Sequence, residues 1–257
     1  MFKNSSIFQY KDLLFNLTIN ELKLKYKNSI IGFLWSFLHP IMLLIVYTFA
    51  FKLIIRITIE NFPVFVFSGL LPWMFISGSI TLCANSLINY QGLIKKVYFP
   101  RMIIPLSIIF SNFISMLINF IVLFVALSFF GIKITPALLF VPILLVPTLM
   151  LTVGIGLLFS TMTVKYRDIS HLTEILFMIL FYLTPIIYDL KMIPDPYHDY
   201  IQLNPITHIV QMFRTIILDG SIPTIGEFWT SFFYSLLFLL FGGAVFKFRE
   251  KRLVEEL

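Results

Sequence analysis

The stretch Gln91-Gly92-Leu93-Ile94-Lys95-Lys96-Val97-Tyr98-Phe99-Pro100-Arg101 sets cations among large apolar side chains, between two long hydrophobic runs. The excess of Lys and Arg on the cytoplasmic side of membranes accounts for Lys95, Lys96 and Arg101. It does not account for Leu93, Ile94, Val97, Tyr98 and Phe99, which a solvated loop has no reason to carry. A short helix that docks into a partner's groove does. The segment is therefore expected to bind another protein, with Pro100 ending its helix. A second charged turn, Tyr166-Arg167-Asp168, interrupts the apolar pattern further on, and both a local charge pair and a purely structural turn fit it.

Other chemistry is missing. No Gly-x-x-x-x-Gly-Lys-Ser/Thr occurs, and no Gly is followed by Lys, so the chain cannot cradle ATP phosphates in a P-loop. His39, His171, His198 and His208 are scattered, without zinc spacing, and each reads as structural. The single Cys83 excludes an intramolecular disulfide and a Cys-based zinc cluster; it reads as a small buried hydrophobe. Within the apolar runs the acids are Glu174 and Glu227, each near an end. Carriers driven by protons or sodium place ionisable groups at mid-membrane instead. No catalytic residue, metal or resident cofactor is expected, and the energy for any transport has to come from elsewhere.

Membrane helices must position these segments. Hydrophobic residues make up 59% of the chain and charged ones 12%, against about 25% charged in soluble domains; mean hydropathy is +0.94. A span needs roughly 20 apolar residues to cross about 30 Å of hydrocarbon. Six stretches qualify: 31–51, 62–87, 105–130, 136–162, 171–188 and 227–246. Ahead of them, Ile7, Tyr10, Leu14, Leu17 and Leu24 recur at helical spacing opposite a polar face, which predicts an amphipathic helix over 6–28 lying in the membrane interface. No short apolar block with a small-residue cleavage site comes first, so no cleaved signal peptide is expected. The fold class is an all-α polytopic membrane protein of about six helices, read as one domain over 1–257. It comprises the interfacial helix within 1–30, spans within 31–246, a mixed-polarity segment at 189–225 and a tail at 247–257.

Basic residues set the orientation. With the N-terminus inside, the cytoplasmic side holds Lys3, Lys11, Lys23, Lys25, Lys27, Lys95, Lys96, Arg101, Lys165, Arg167, Lys247, Arg249, Lys251 and Arg252, leaving Lys52, Arg56, Lys133, Lys191 and Arg214 outside. This asymmetry predicts an N-in, C-in topology with 189–225 extracytoplasmic. It also explains the net charge of +6 without nucleic acid as a partner.

Leu93 to Arg101 resembles the cytoplasmic coupling segment of ABC-2-type exporter permeases, most of all the branch that exports lipid-linked polysaccharides such as O-antigen and teichoic acid (the Wzm-like permeases). Val164-Lys165-Tyr166-Arg167-Asp168-Ile169 resembles that family's turn between its fourth and fifth spans, and Leu183-Thr184-Pro185-Ile186-Ile187-Tyr188 the end of its fifth. Asn204-Pro205-Ile206-Thr207-His208, followed by Arg214, resembles its extracytoplasmic segment, and Phe248 to Leu257 fits its tail. The ordered set covers nearly the whole chain.

This resemblance implies a non-catalytic permease subunit in a bacterial cytoplasmic (inner) membrane. Two copies would work with two cytoplasmic ATPase subunits, which bind the ATP and Mg and dock at Leu93, Ile94, Lys95, Lys96, Val97, Tyr98, Phe99 and Arg101. The substrate would be an undecaprenyl-linked polysaccharide of O-antigen or teichoic-acid type, with 189–225 gating the exit. The chain carries 30 Phe, 11 Tyr and 3 Trp, and aromatic rings stack on sugar faces while tolerating sliding. Phe33, Phe37, Tyr47 and Phe51 lie along one face of the first span, with Trp35 near its start; Phe181 and Tyr182 come from the fifth. These are the candidate path residues, against ordinary lipid-facing and interfacial aromatics. An ABC-2 exporter of a small molecule or lipid is the alternative function. A membrane-embedded transferase is a further one, although the polar catalytic cluster it needs is not evident in the sequence, and a passive scaffold is another.

Overall fold

Long apolar runs punctuated by Pro, Gly and basic clusters fold as helices throughout, and no strand occurs among the described residues. The computed structural model describes residues 10–27, 29–250 and 252–256, without the side chains of Tyr26, Phe33, Val254 and Glu255. Residues 6–9 and Asn28 of the expected interfacial helix, and Lys251 and Leu257 of the tail, lie outside that description.

After α1 (Lys11–Tyr26), α2 (Trp35–Tyr47) continues as a π-helical stretch, Thr48–Ile54. Arg56 and Asn61, both at positive φ, turn the chain into α3 (Phe62–Asn89). The short α4 (Gln91–Lys96) leads to α5 (Ile103–Phe129), and a 3-10 turn at Pro136–Phe140 opens α6 (Val141–Lys165). Next come α7 (Asp168–Leu183), α8 (His198–Gln202), α9 (Pro205–Ile217), α10 (Ile225–Arg249) and α11 (Leu253–Glu256).

Among the described residues, five helices are long and apolar enough to cross a membrane: Trp35–Ile54, Phe62–Asn89, Ile103–Phe129, Pro136–Lys165 and Ile225–Arg249. The expected span at 171–188 is a helix of 16 residues instead, roughly 24 Å long at 1.5 Å per residue. It stops at Leu183 because Pro185 forces Thr184 out of the helical region, to ψ 132°.

The core forms around α3, which is packed by α5, α6, α7 and α9. Hydroxyl residues fit this apolar interior by donating back to their own helix, as Thr148 does to the Leu144 carbonyl and Thr152 to that of Thr148, both at 2.7 Å. Where α6 meets α10 the backbones touch. A Cβ on Gly242 would fall onto the Gly154 carbonyl, and one on Gly154 onto the backbone of Phe238, so small residues set this crossing. By contrast α2 is almost uncovered by the rest of the chain.

Candidate functional site: a docking face, an aromatic groove and a buried arginine

One end of the bundle gathers the basic segments. There Ile94, Phe99, Ile103, Val164, Phe246 and Leu253 close a small apolar cluster, with Tyr10, Leu13, Leu14 and Leu17 of the N-terminal region against it. Ile94 and Phe99 are buried, whereas Val97 and Tyr98 are exposed. The segment is thus anchored on two apolar residues and presents two others with its cations. The Arg101 guanidinium lies 5.4 Å from the centre of the Tyr98 ring, and the Arg101 backbone N–H donates to Glu250 Oε1 at 3.0 Å. Tyr166, also exposed, carries Lys165 Nζ at 4.9 Å over its ring.

Helix α1 runs along α5. Lys25 Nζ donates to Asn112 Oδ1 at 2.5 Å and to Ser115 Oγ at 3.2 Å. Its apolar residues divide: Leu14 and Leu17 pack on the cluster, but Leu24 is exposed. Tyr90, just past α3, hydrogen-bonds to Glu21; burial, then that bond, pushes its phenol above the ordinary range.

On the flank of α2, α3 and α7 an open groove of about 520 Å³ is lined by Tyr47, Trp73, Glu174, Phe177, Phe181 and Tyr182, with Ser77 and Thr81 adding hydroxyls. Its rings form a chain of contacts: Tyr47 to Phe181 at 5.7 Å, Phe181 to Trp73 at 5.6 Å and Trp73 to Phe177 at 5.9 Å between centroids. Tyr47 also meets Phe51 at 6.3 Å, where the π-helical stretch widens the helix, a departure common at functional positions.

At the opposite end α9 is drawn into the protein by Arg214, which is 5% exposed. Its Nη2 donates to the Ile186 carbonyl at 2.5 Å and its Nη1 to that of Tyr188 at 3.4 Å, with the guanidinium 3.7 Å above the Phe65 ring. Burial lowers its pKa while Asp189 and Tyr188 raise it, and a guanidinium stays charged in proteins. Gly69 leaves the room: a Cβ there would stand 3.3 Å from Nη2. Asn204 completes the lock, donating to Thr184 Oγ1 at 2.9 Å and accepting from the Ile206 N–H at 3.0 Å.

The family model of the ABC-2 type transporter matches residues 12–218. The chain belongs to that family. It is 35% identical over 214 residues to an O-antigen export system permease protein, RfbA, of Klebsiella pneumoniae, covering 82% of each chain. It is 28% identical over 253 residues to the protein of that name in Myxococcus xanthus, covering 98% of this chain and 97% of that one. A polysialic acid transport protein, KpsM, of Escherichia coli is 24% identical over 254 residues, covering 93% of each.

In this ABC-2 chain the residues singled out by sequence separate. Tyr47, Phe181 and Tyr182 come together at the groove, Phe51 meets Tyr47 without lining it, and Trp35 and Phe37 stand roughly 15–18 Å from Tyr47 along α2. The Phe33 side chain lies outside the described residues. Helix α4 ends at Lys96, and Val97 is already extended at ψ 137°, so Pro100 is not what stops it. Leu93 is half-buried, while Lys95, Lys96 and Arg167 are at the surface. Asp168 opens α7, where a carboxylate suits the positive end of the helix dipole. Sequence reasoning missed Trp73, Glu174 and Phe177. The spacing of Glu174, Phe177 and Phe181 along one face of α7 carried that signal.

Proposed function

We propose that the chain is the transmembrane subunit of an ATP-driven exporter of lipid-linked polysaccharide in a bacterial inner membrane. The observation that carries this reading is the groove: a continuous row of rings from α2, α3 and α7, with hydroxyls and one carboxylate beside it, flanked by α2, which its own chain leaves almost uncovered. Rings stack on successive sugars, and the polar groups exchange hydrogen bonds with their hydroxyls as the polymer moves. The names of the relatives, O-antigen and polysialic acid transporters, support the same substrate class.

A groove on one chain is half a path. A second copy related by two-fold symmetry, the commonest arrangement of homo-oligomers, would close it along α2. The basic end then faces the cytoplasm, where Val97, Tyr98, Lys95, Lys96 and Tyr166 offer cations and rings to an ATPase subunit. Closure of the ATPase pair pushes on α4, and Ile94 and Phe99 carry that push into the cluster beneath α3, α5 and α6.

The test is deletion of the gene, with lipid-linked glycan measured at the cell surface and inside. Loss of surface polymer with internal accumulation is the expected result. Unchanged surface glycan without accumulation, in a strain with no second copy of the gene, would move the function to export of a smaller molecule.

A further inference from the structure

The chain carries 19 Lys and Arg against 13 Asp and Glu, yet the aromatic groove has the opposite sign. Among the described residues that line it, Glu174 alone is charged. Its side chain is exposed and makes no hydrogen bond or ion pair with a described residue, so its charge acts on whatever enters. Glu174 lies eight residues, roughly 12 Å, before Tyr182 on α7, and a sugar chain laid along the rings of that helix passes it. Beside a membrane span a like charge is opposed more strongly than in bulk water. A uronic acid or a phosphodiester is therefore repelled there, with no Lys or Arg among those lining residues to offset it.

The floor of the groove is equally specific. Gly78, inside α3, lines it, and a Cβ added there would meet no atom within 4 Å. Glycine weakens a helix relative to alanine, and no close neighbour demands it here, in contrast to Gly154 and Gly242. Its missing side chain leaves the helix bare beside Trp73, Ser77 and Thr81, room for a flat ring. The Ser77 hydroxyl donates to the Trp73 carbonyl at 2.7 Å, which leaves its oxygen to accept from a sugar hydroxyl.

We infer that Glu174 and Gly78 set the specificity of the groove: it admits a polymer whose sugar rings carry no carboxylate or phosphate, seated flat where Gly78 leaves α3 bare. This rests on the export reading and narrows its substrate. A neutral glycan of O-antigen type passes, whereas an acidic glycan or a polyphosphate of teichoic-acid type does not. A second copy closing the path doubles the negative charge along it.

The test reads the groove through its own tryptophan. Of three tryptophans in the chain, Trp73 lines the groove and Trp35 and Trp229 do not. With Trp35→Phe and Trp229→Phe, the fluorescence of the full-length permease in phosphatidylcholine vesicles reports Trp73 alone. The probes are maltotriose and trigalacturonate, equal in length and different in charge. In that background maltotriose should bind about tenfold more tightly, and salt at about 1 M should shrink the preference. Glu174→Gln, of the same shape, should reduce it to about twofold, and Glu174→Lys should reverse it. Gly78→Leu suits a helix better than glycine does and fills the floor, so both sugars should bind at least about tenfold more weakly with an unlowered melting temperature. Equal binding of the two sugars before any change at Glu174, or a preference unaltered in Glu174→Gln, overturns the charge rule. Undiminished binding by Gly78→Leu overturns the role of Gly78. The two readings fail differently. A Trp73 signal that neither sugar moves ends the groove as a sugar path and this inference with it. Surface polymer lost on gene deletion, with sugars bound regardless of charge, leaves the export reading standing and ends this inference alone.

Discussion

The two ends of the bundle each fasten together segments far apart in sequence, and they do so differently. At the basic end the Arg101 N–H and Glu250 carboxylate join the α4–α5 link to the end of α10, and the same link leaves Val97 and Tyr98 exposed. At the other end Arg214 and Asn204 join α9 to the residues after α7, and nine residues of α9 are buried. The first is a light fastening under an exposed surface, the one that on the proposed function meets the ATPase. The second is a charged plug sealed inside the protein. On that reading the first needs a rigid anchor and an exposed face, whereas the second is held with no exposed face at all.

Variants at the two ends should therefore lose stability to different degrees. Arg214→Ala strands the Ile186 and Tyr188 carbonyls and removes the stack on Phe65, for a loss of about 3–5 kcal/mol. Little folded protein should survive size exclusion, and Arg214→Lys should rescue it poorly because an ammonium lacks the planar fork. A fully folded Arg214→Ala would end the plug account. Phe99→Ala removes a buried ring from the smaller cluster; about 3 kcal/mol is expected, read as a lower melting temperature with export reduced in step. Glu250→Ala leaves the Arg101 N–H without its acceptor, and a loss of about 1 kcal/mol should appear. If Glu250→Ala proved as damaging as Arg214→Ala, the two ends would not differ in the way described.

Hydropathy made the helices legible, because hydrocarbon requires long apolar stretches and every long one here is a helix. The resemblance to the family also marked both fastened segments, each as a separate motif. What it could not show is that they touch. Arg214 stood in a segment of mixed polarity, and a buried arginine whose acceptors are backbone carbonyls has no sequence partner to betray it. Ile94 and Phe99 look the same as Val97 and Tyr98 on paper; only the turn after Lys96 sends one pair inward and leaves the other outside. The α6–α10 crossing at Gly154 and Gly242 was invisible for a similar reason, since isolated glycines do not announce which backbone they admit. For the groove, the spacing along α7 held a usable signal, but Trp73 on α3 is brought to it by packing alone.

The smallest effect on stability should come from changing Lys95, Lys96 and Tyr98 together to Ala. Tyr98 is mostly exposed, and its contact with Arg101 is worth about 0.5–1 kcal/mol at such a site. The melting temperature should therefore barely move. Export should nevertheless fall sharply, with the ATPase pulled down less efficiently by the permease, because the face that is lost is the one presented to the partner. Phe99→Ala and the triple variant thus separate anchor from contact: the first should lose stability and export together, the second export alone. Normal export from a well-expressed triple variant would show that the ATPase engages another surface, and Tyr166, exposed beside it, would be the next residue to change.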